Sequence, residues 1–179
     1  MSHQQLSLDT IRSSLEEQGF ECTIQKEEIP YLLLYVEPDE KGRDYIFTIT
    51  LKEQYLSSQP GPDLKEEGHI LHFALDYNVL LPINPKDVAL PETARYLCFI
   101  NRNSQFPGFE LDEIESKIYF RVVQFFHSDR WEKEYIHATV GLVLLNLHLF
   151  HRDIERVALG KTTMIEILEE ALEKVHVSE

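Results

Sequence analysis

Cysteine is scarce in this chain. Only Cys22 and Cys98 occur, one in a predicted strand and one in a predicted helix, with no CxxC spacing. Two cysteines cannot by themselves complete a structural zinc site, and they read as small apolar residues buried in a protein of a reducing compartment. Cations are also few. Seventeen Lys and Arg residues face 31 Asp and Glu, for a formal net charge of −14. Binding to phosphate backbones depends on cations that displace counterions, so this balance argues against nucleic acid and anionic membranes and leaves a basic or mainly apolar protein as partner. Long apolar runs are missing. The most apolar stretch, Ala138–Phe150, is interrupted by Asn146 and His148 and falls short of the roughly twenty residues that span a bilayer. The opening MSHQQLSLDT has neither a basic start nor an apolar core, so no signal peptide is expected and the location expected is cytoplasmic. There is no GxSxG, no phosphate-binding loop of the GxxxxGK[ST] type and no GxGxxG, which leaves the common nucleophile and nucleotide signatures unrepresented.

What is present is a patterned chain of 179 residues, a length that predicts a single domain over 1–179. Residues 6–18 carry Leu6, Ile11 and Leu15 at helical spacing, with Ser7 as cap, Thr10 three positions on and Gly19 as the stop. Residues 20–26 read as an edge-type strand. Residues 29–37 (IPYLLLYVE) are apolar enough to suggest a strand that is central or buried on both faces. A turn over 38–43 leads into a strand over 44–51, in which Tyr45, Phe47, Ile49 and Leu51 point one way and Ile46, Thr48 and Thr50 the other. Residues 52–68, rich in proline, glycine and charge, read as a loop insertion. A strand over 69–78 and an extended connector over 80–90 follow. A helix over 91–103 has Ala94, Leu97, Cys98 and Ile100 as its apolar positions and Asn101 and Asn103 at its end. Strands over 106–112 and 117–126 precede a long helix from about Ser128 to Ala158, stopped by Gly160. A last helix over 161–175 starts at Thr162 or Thr163.

Short antiparallel connections with helices in separate blocks predict an α+β fold of order α-β-β-β-(β)-α-β-β-α-α, a curved antiparallel sheet with helices on one face. The helix ending in Ile100–Asn101, the strand Phe106–Pro107–Gly108–Phe109–Glu110–Leu111–Asp112, the strand Ile118–Tyr119–Phe120–Arg121–Val122 and the long helix after it together resemble the type III secretion chaperone-like fold, including the YbjN-like family. The resemblance covers residues 68–160 in detail and the first half in element order only. It implies a small, acidic, cytosolic, non-enzymatic binding protein. For the secretion chaperones it also implies a dimer through the helix that here is 91–103. It supplies no catalytic residue and no cofactor.

Among chemistry-bearing residues, His148 and His151 lie three apart on the long helix near Asp153 and Glu155, a spacing that brings side chains together. They support the alternative reading, a small metal-dependent hydrolase using His148, His151 and Asp153. The usual zinc helix, however, has its histidines at i and i+4 with a glutamate beside the first. His69 and His72 share a strand at a spacing that sends them to opposite faces. Glu27 and Glu28 read as solvated charge, Asp76 beside Tyr77 as a weak acidic pair candidate, and Ser57–Ser58 have no neighbouring base. The binding reading has more material: Tyr31, Tyr35, Tyr45, Phe47, Phe73, Phe120, Phe125 and Phe126 on strands, and a long helix apolar over more than one face. It predicts a partner protein or a second copy of the chain held by Tyr31, Leu33 and Tyr35 on an exposed strand and by Tyr96, Phe99 and Ile100 on the short helix, through strand addition or pocket filling.

Overall fold

A computed structural model describes residues 6–56, 70–127 and 131–176, apart from the side chains of 54–56, 70–71 and 174–176. Its elements in chain order are α1 (Leu8–Glu16), β1 (Glu21–Gln25), β2 (Tyr31–Tyr35), β3 (Ile46–Leu56), β4 (Ile70–Leu80), a 3-10 turn (Asp87–Ala89), α2 (Leu90–Asn103), β5 (Phe109–Asp112), β6 (Lys117–His127), α3 (Lys133–Ala158) and α4 (Met164–His176). The fold is α+β, with the strands in one six-stranded antiparallel sheet of order β1-β2-β3-β4-β6-β5. The chain divides into two compact units, Met1–Val79 with Val122–Gly141, and Leu80–Arg121 with Leu142–Glu179.

In the first unit the core follows from strand alternation, since successive side chains point to opposite faces. Leu32 and Leu34 of β2 pair with Ile49 and Phe47 of β3, and all four are buried, as are Phe73, Leu75, Tyr77 and Val79 of β4. Helix α1 adds Ile11 and Leu15, and the first part of α3 adds Ile136 and Val140, each fully buried. Two hydroxyls of this core are hydrogen-bonded: Tyr77 Oη donates to Gln124 Oε1 at 3.1 Å, and Thr139 Oγ1 lies 2.8 Å from the Tyr135 carbonyl oxygen and 3.1 Å from Gln124 Oε1. Ser7 caps α1 reciprocally with Thr10, which satisfies helix-end N–H groups that have no partner within the helix.

The second unit is fixed around one side chain. Asn101, near the end of α2, donates from Nδ2 to the Phe109 carbonyl at 2.7 Å. Its Oδ1 accepts from the backbone N–H groups of Gly108 and Phe109 at 3.1 and 3.0 Å. This carboxamide ties the helix end to the first residue of β5. Beside it, Gly108 accepts a backbone hydrogen bond from Arg121 at 2.7 Å. A Cβ at Gly108 would sit 2.8 Å from the Phe120 ring and 2.9 Å from the Arg121 carbonyl oxygen, so only glycine allows the approach. Phe109 pairs with Phe120 across the β5–β6 ladder and meets it edge-on at 4.7 Å between ring centres. Tyr96, Leu97 and Ile100 of α2 and Val143, Leu147, Ile154 and Val157 of α3 are also buried. Helix α3 ends at Gly160, whose φ of 64° permits the paired bonds Gly160 N–H to Val157 O and Lys161 N–H to Arg156 O, the usual glycine closure. Thr163 and Glu166 cap α4: the Thr163 N–H donates to the Glu166 carboxylate at 2.7 Å and the Glu166 N–H to Thr163 Oγ1 at 3.3 Å.

Several boundaries differ from those read in the sequence. Strand β3 runs to Leu56, so the first residues of the segment read as an insertion are strand, and the rest of that segment lies outside the described residues. The connector 80–90 contains the end of β4, the 3-10 turn and the start of α2. Strand β2 lies inside the sheet, between β1 and β3, but is not buried on both faces: Leu32 and Leu34 are buried, whereas Tyr31 and Leu33 are half-buried and Tyr35 is exposed. Cys98, expected inside, is exposed, and Cys22 is half-buried.

Two outcomes follow from these contacts. Asn101→Ala removes three hydrogen bonds from a part-buried helix end and should cost about 2 kcal/mol in urea unfolding, while Gly108→Ala, which forces backbone and ring apart, should cost about 1–3 kcal/mol. Thiol alkylation should be ordered. Burial, followed by the charge of Glu16, pushes the Cys22 thiol up to about 11, so at pH 8 mass spectrometry of the native protein should find Cys98 modified well before Cys22.

Candidate functional site

The face of the first unit opposite its core carries exposed and half-exposed apolar and aromatic residues on its strands. On β2 the register sets Thr23 and Thr48 on either side of Leu33, and Gln25 and Thr50 on either side of Tyr31. Tyr35, next on this face, is paired with Glu21 of β1 and is 47% exposed, and Ile46 at the start of β3 is 51% exposed. Strand β1 ends the sheet order, and an end strand leaves one row of N–H and C=O groups without a sheet partner. The rim is acidic. Glu21 stands beside Tyr35, and Glu27 accepts a hydrogen bond from Tyr31 Oη at 3.2 Å. Desolvation, then this bond and the Glu27 charge, raise the Tyr31 phenol above its ordinary value.

The β2–β3 connection that carries Tyr35 and Ile46 is held by Asp39. Its side chain, 2% exposed, accepts from the backbone N–H groups of Lys41 and Arg43 at 2.9 and 2.8 Å and from Arg43 Nε at 2.7 Å. Burial raises the carboxyl's pKa, but the Arg43 side-chain bond, the two backbone bonds and the Arg43 charge outweigh it and hold the group at about 2. This preorganises the hairpin without glycine at its tip doing the work alone.

The structure separates the sequence candidates. Tyr31, Leu33 and Tyr35 share the outer face of β2. Tyr96 and Ile100 are buried in the core of the second unit and Phe99 is half-buried, so α2 does not present these three as a contact surface. Cys98 and Arg95 face solvent instead. His148, His151 and Asp153 do not converge. His148 is exposed, and Asp153 is turned to Arg156 at 3.2 Å, which in turn grips Glu170. Among the described residues no three His, Cys, Asp or Glu side chains are grouped as a ligand set. Asp76 lies 3.6 Å from Lys52 Nζ, and burial raises the phenol of its neighbour Tyr77, which is bonded to Gln124. His72 meets His127 edge-on at 5.6 Å. His69, Ser57 and Ser58 lie outside the described residues.

One polar pair escaped the sequence reading. His137 Nε2 of α3 lies 2.6 Å from Ser14 Oγ and 3.1 Å from the Ser14 carbonyl oxygen of α1. The pair staples α1 to α3. Lys133 and Glu17, 2.7 Å apart, join the same two helices. The residues are too distant in sequence for any local pattern to announce them. Ile46, the other residue missed, was signalled by its place on the face opposite Phe47 and Ile49.

Compared with protein-family models and with curated proteins, the sequence matches none. Among the described residues no helix is long and apolar enough to cross a membrane.

The Asp39 lock gives a pH signature. A carboxyl depressed in the folded state adds stability above its unfolded value near 4, and that stability is lost as pH falls toward about 2. Asp39→Asn should lower the thermal midpoint at pH 7 and flatten its decline between pH 4 and pH 2, as read by circular dichroism melts.

Proposed function

We propose that this chain is a non-enzymatic protein-binding module, chaperone-like or regulatory, of the YbjN-like and type III secretion chaperone-like kind, with that fold's curved sheet and helix-backed face. It captures an extended apolar segment of a partner protein on the outer face of β2 and along β1. The observation that carries this reading is the division of β2 itself. Leu32 and Leu34 satisfy the core, yet the opposite side offers Tyr31, Leu33 and Tyr35, continued by Ile46 on β3. Aromatic side chains that remain half-exposed have the area and rigidity to anchor a partner at low entropic cost. The end strand β1 offers main-chain groups for strand addition. Glu21, Glu27 and Glu28 border the surface, so a partner segment flanked by Lys or Arg is favoured, with the charges setting orientation and on-rate more than affinity.

The test is quantitative affinity capture on the immobilised full chain, run beside the Tyr35→Glu/Ile46→Glu variant, with circular dichroism confirming equal folding. A partner held by the parent protein should fall at least roughly tenfold on the variant, the scale of one lost hot-spot contact. Equal capture by both proteins would remove the β2 face from the binding surface.

A further inference from the structure

Helix α3 has a second apolar stripe facing away from the one it buries. Ile136, Val140, Val143, Leu147 and Ile154 are in the core, while Tyr135, Leu142, Leu145 and Leu149 are exposed, with Ala138 exposed between them. The exposed set falls at 135, 138, 142, 145 and 149. These are alternating steps of three and four, the spacing of a coiled-coil seam. The stripe is also free of formal charge. No Asp, Glu, Lys or Arg occurs from Tyr135 to His151, in a chain of which 27% is charged. The first charges beyond it have opposite sign, Glu134 before and Arg152 after, and both are exposed.

We propose that this face of α3 is the contact between two copies of the chain, packed antiparallel about a two-fold axis between Leu142 and Leu145. The pattern is self-complementary in that arrangement and in no parallel one. Antiparallel seams pair the first position of one heptad with the fourth of the other. Leu142 then meets Leu145 of the second copy, small Ala138 receives large Leu149, and Tyr135 receives Arg152 across its ring, a cation over an aromatic face. Glu134 lies at that same end, with Arg152 and Asp153 of the second copy beside it. A parallel pair would instead set Arg152 against Arg152 and Glu134 against Glu134, like charge on like. A two-fold contact of this type uses one patch twice. The seam from Tyr135 to Arg152 is about 26 Å long at 1.5 Å per residue. That is a small interface, of the kind that associates reversibly.

Sedimentation velocity of the full chain from 5 to 300 μM reads the outcome. The parent protein should pass from monomer to dimer in that range, and Leu145→Glu, at a residue already 49% exposed and therefore tolerant of charge, should shift the midpoint at least tenfold upward with an unchanged circular dichroism spectrum. Direction is read by crosslinking in a Cys98→Ser background. Ala138→Cys mixed with Leu149→Cys should form a mixed disulfide dimer, and Ala138→Cys alone should not. A chain monomeric at 300 μM, a dimer indifferent to Leu145→Glu, or ready self-crosslinking of Ala138→Cys would each overturn the proposal.

Discussion

A strand has two faces, and the first unit of this protein has enough helix to close only one of them. Ile11 and Leu15 of α1 and Ile136 and Val140 of α3 are buried, as are Leu32, Leu34, Phe47, Ile49 and Tyr77 on the strands. That commitment fixes the register of β2, because a slip by one residue would exchange the leucines for the tyrosines. The same commitment sends Tyr31, Leu33 and Tyr35 outward. The residues proposed to meet a partner are therefore a consequence of how the core is built.

The second unit depends on a different kind of constraint, a single polar side chain. Asn101 completes three hydrogen bonds to the start of β5, and the close approach at Gly108 allows the strand to reach them. Asn101 stood out in the sequence at a helix end, whereas Gly108 was read as part of a strand over 106–112 that in fact begins at Phe109. Their joint role became visible only when the chain between them was folded back, since seven residues of separation leave the partner of a carboxamide undetermined.

Alternation was legible in the sequence. Phe47 and Ile49 against Ile46 and Thr48, the Ser7–Thr10 cap and the Gly160 stop all follow from local geometry, as does the α+β class. The phase of α2 was not. Choosing its apolar positions as Ala94, Leu97, Cys98 and Ile100 leaves out Thr93, whereas the buried stripe is Thr93, Tyr96, Leu97 and Ile100. Threonine reads as polar, yet its hydroxyl bonds to the Ala89 carbonyl at 2.8 Å and so enters the core at little cost. Including it turns the helix by about one position, hides Tyr96 and exposes Cys98. The histidines of α3 mislead for a related reason: proximity along a helix does not bring Asp153 round to the face of His148, and Arg156 already engages it.

Charge ties the two proposed surfaces together. Each chain carries −14, so a dimer would carry −28, and repulsion of that size has to be met where the copies touch. At physiological ionic strength charges more than about 8 Å apart are largely screened, which makes the composition of the contact itself decisive. Tyr135–His151 contributes no carboxylate to that contact, and Arg152 just beyond it would face Tyr135 of the other copy. The β2 face is the reverse, rimmed by Glu21, Glu27 and Glu28. Two copies placed face to face there would bring like charges together, whereas a basic-flanked foreign segment would find them matched. The same electrostatic argument that suits α3 to self-association thus suits β2 to a different partner.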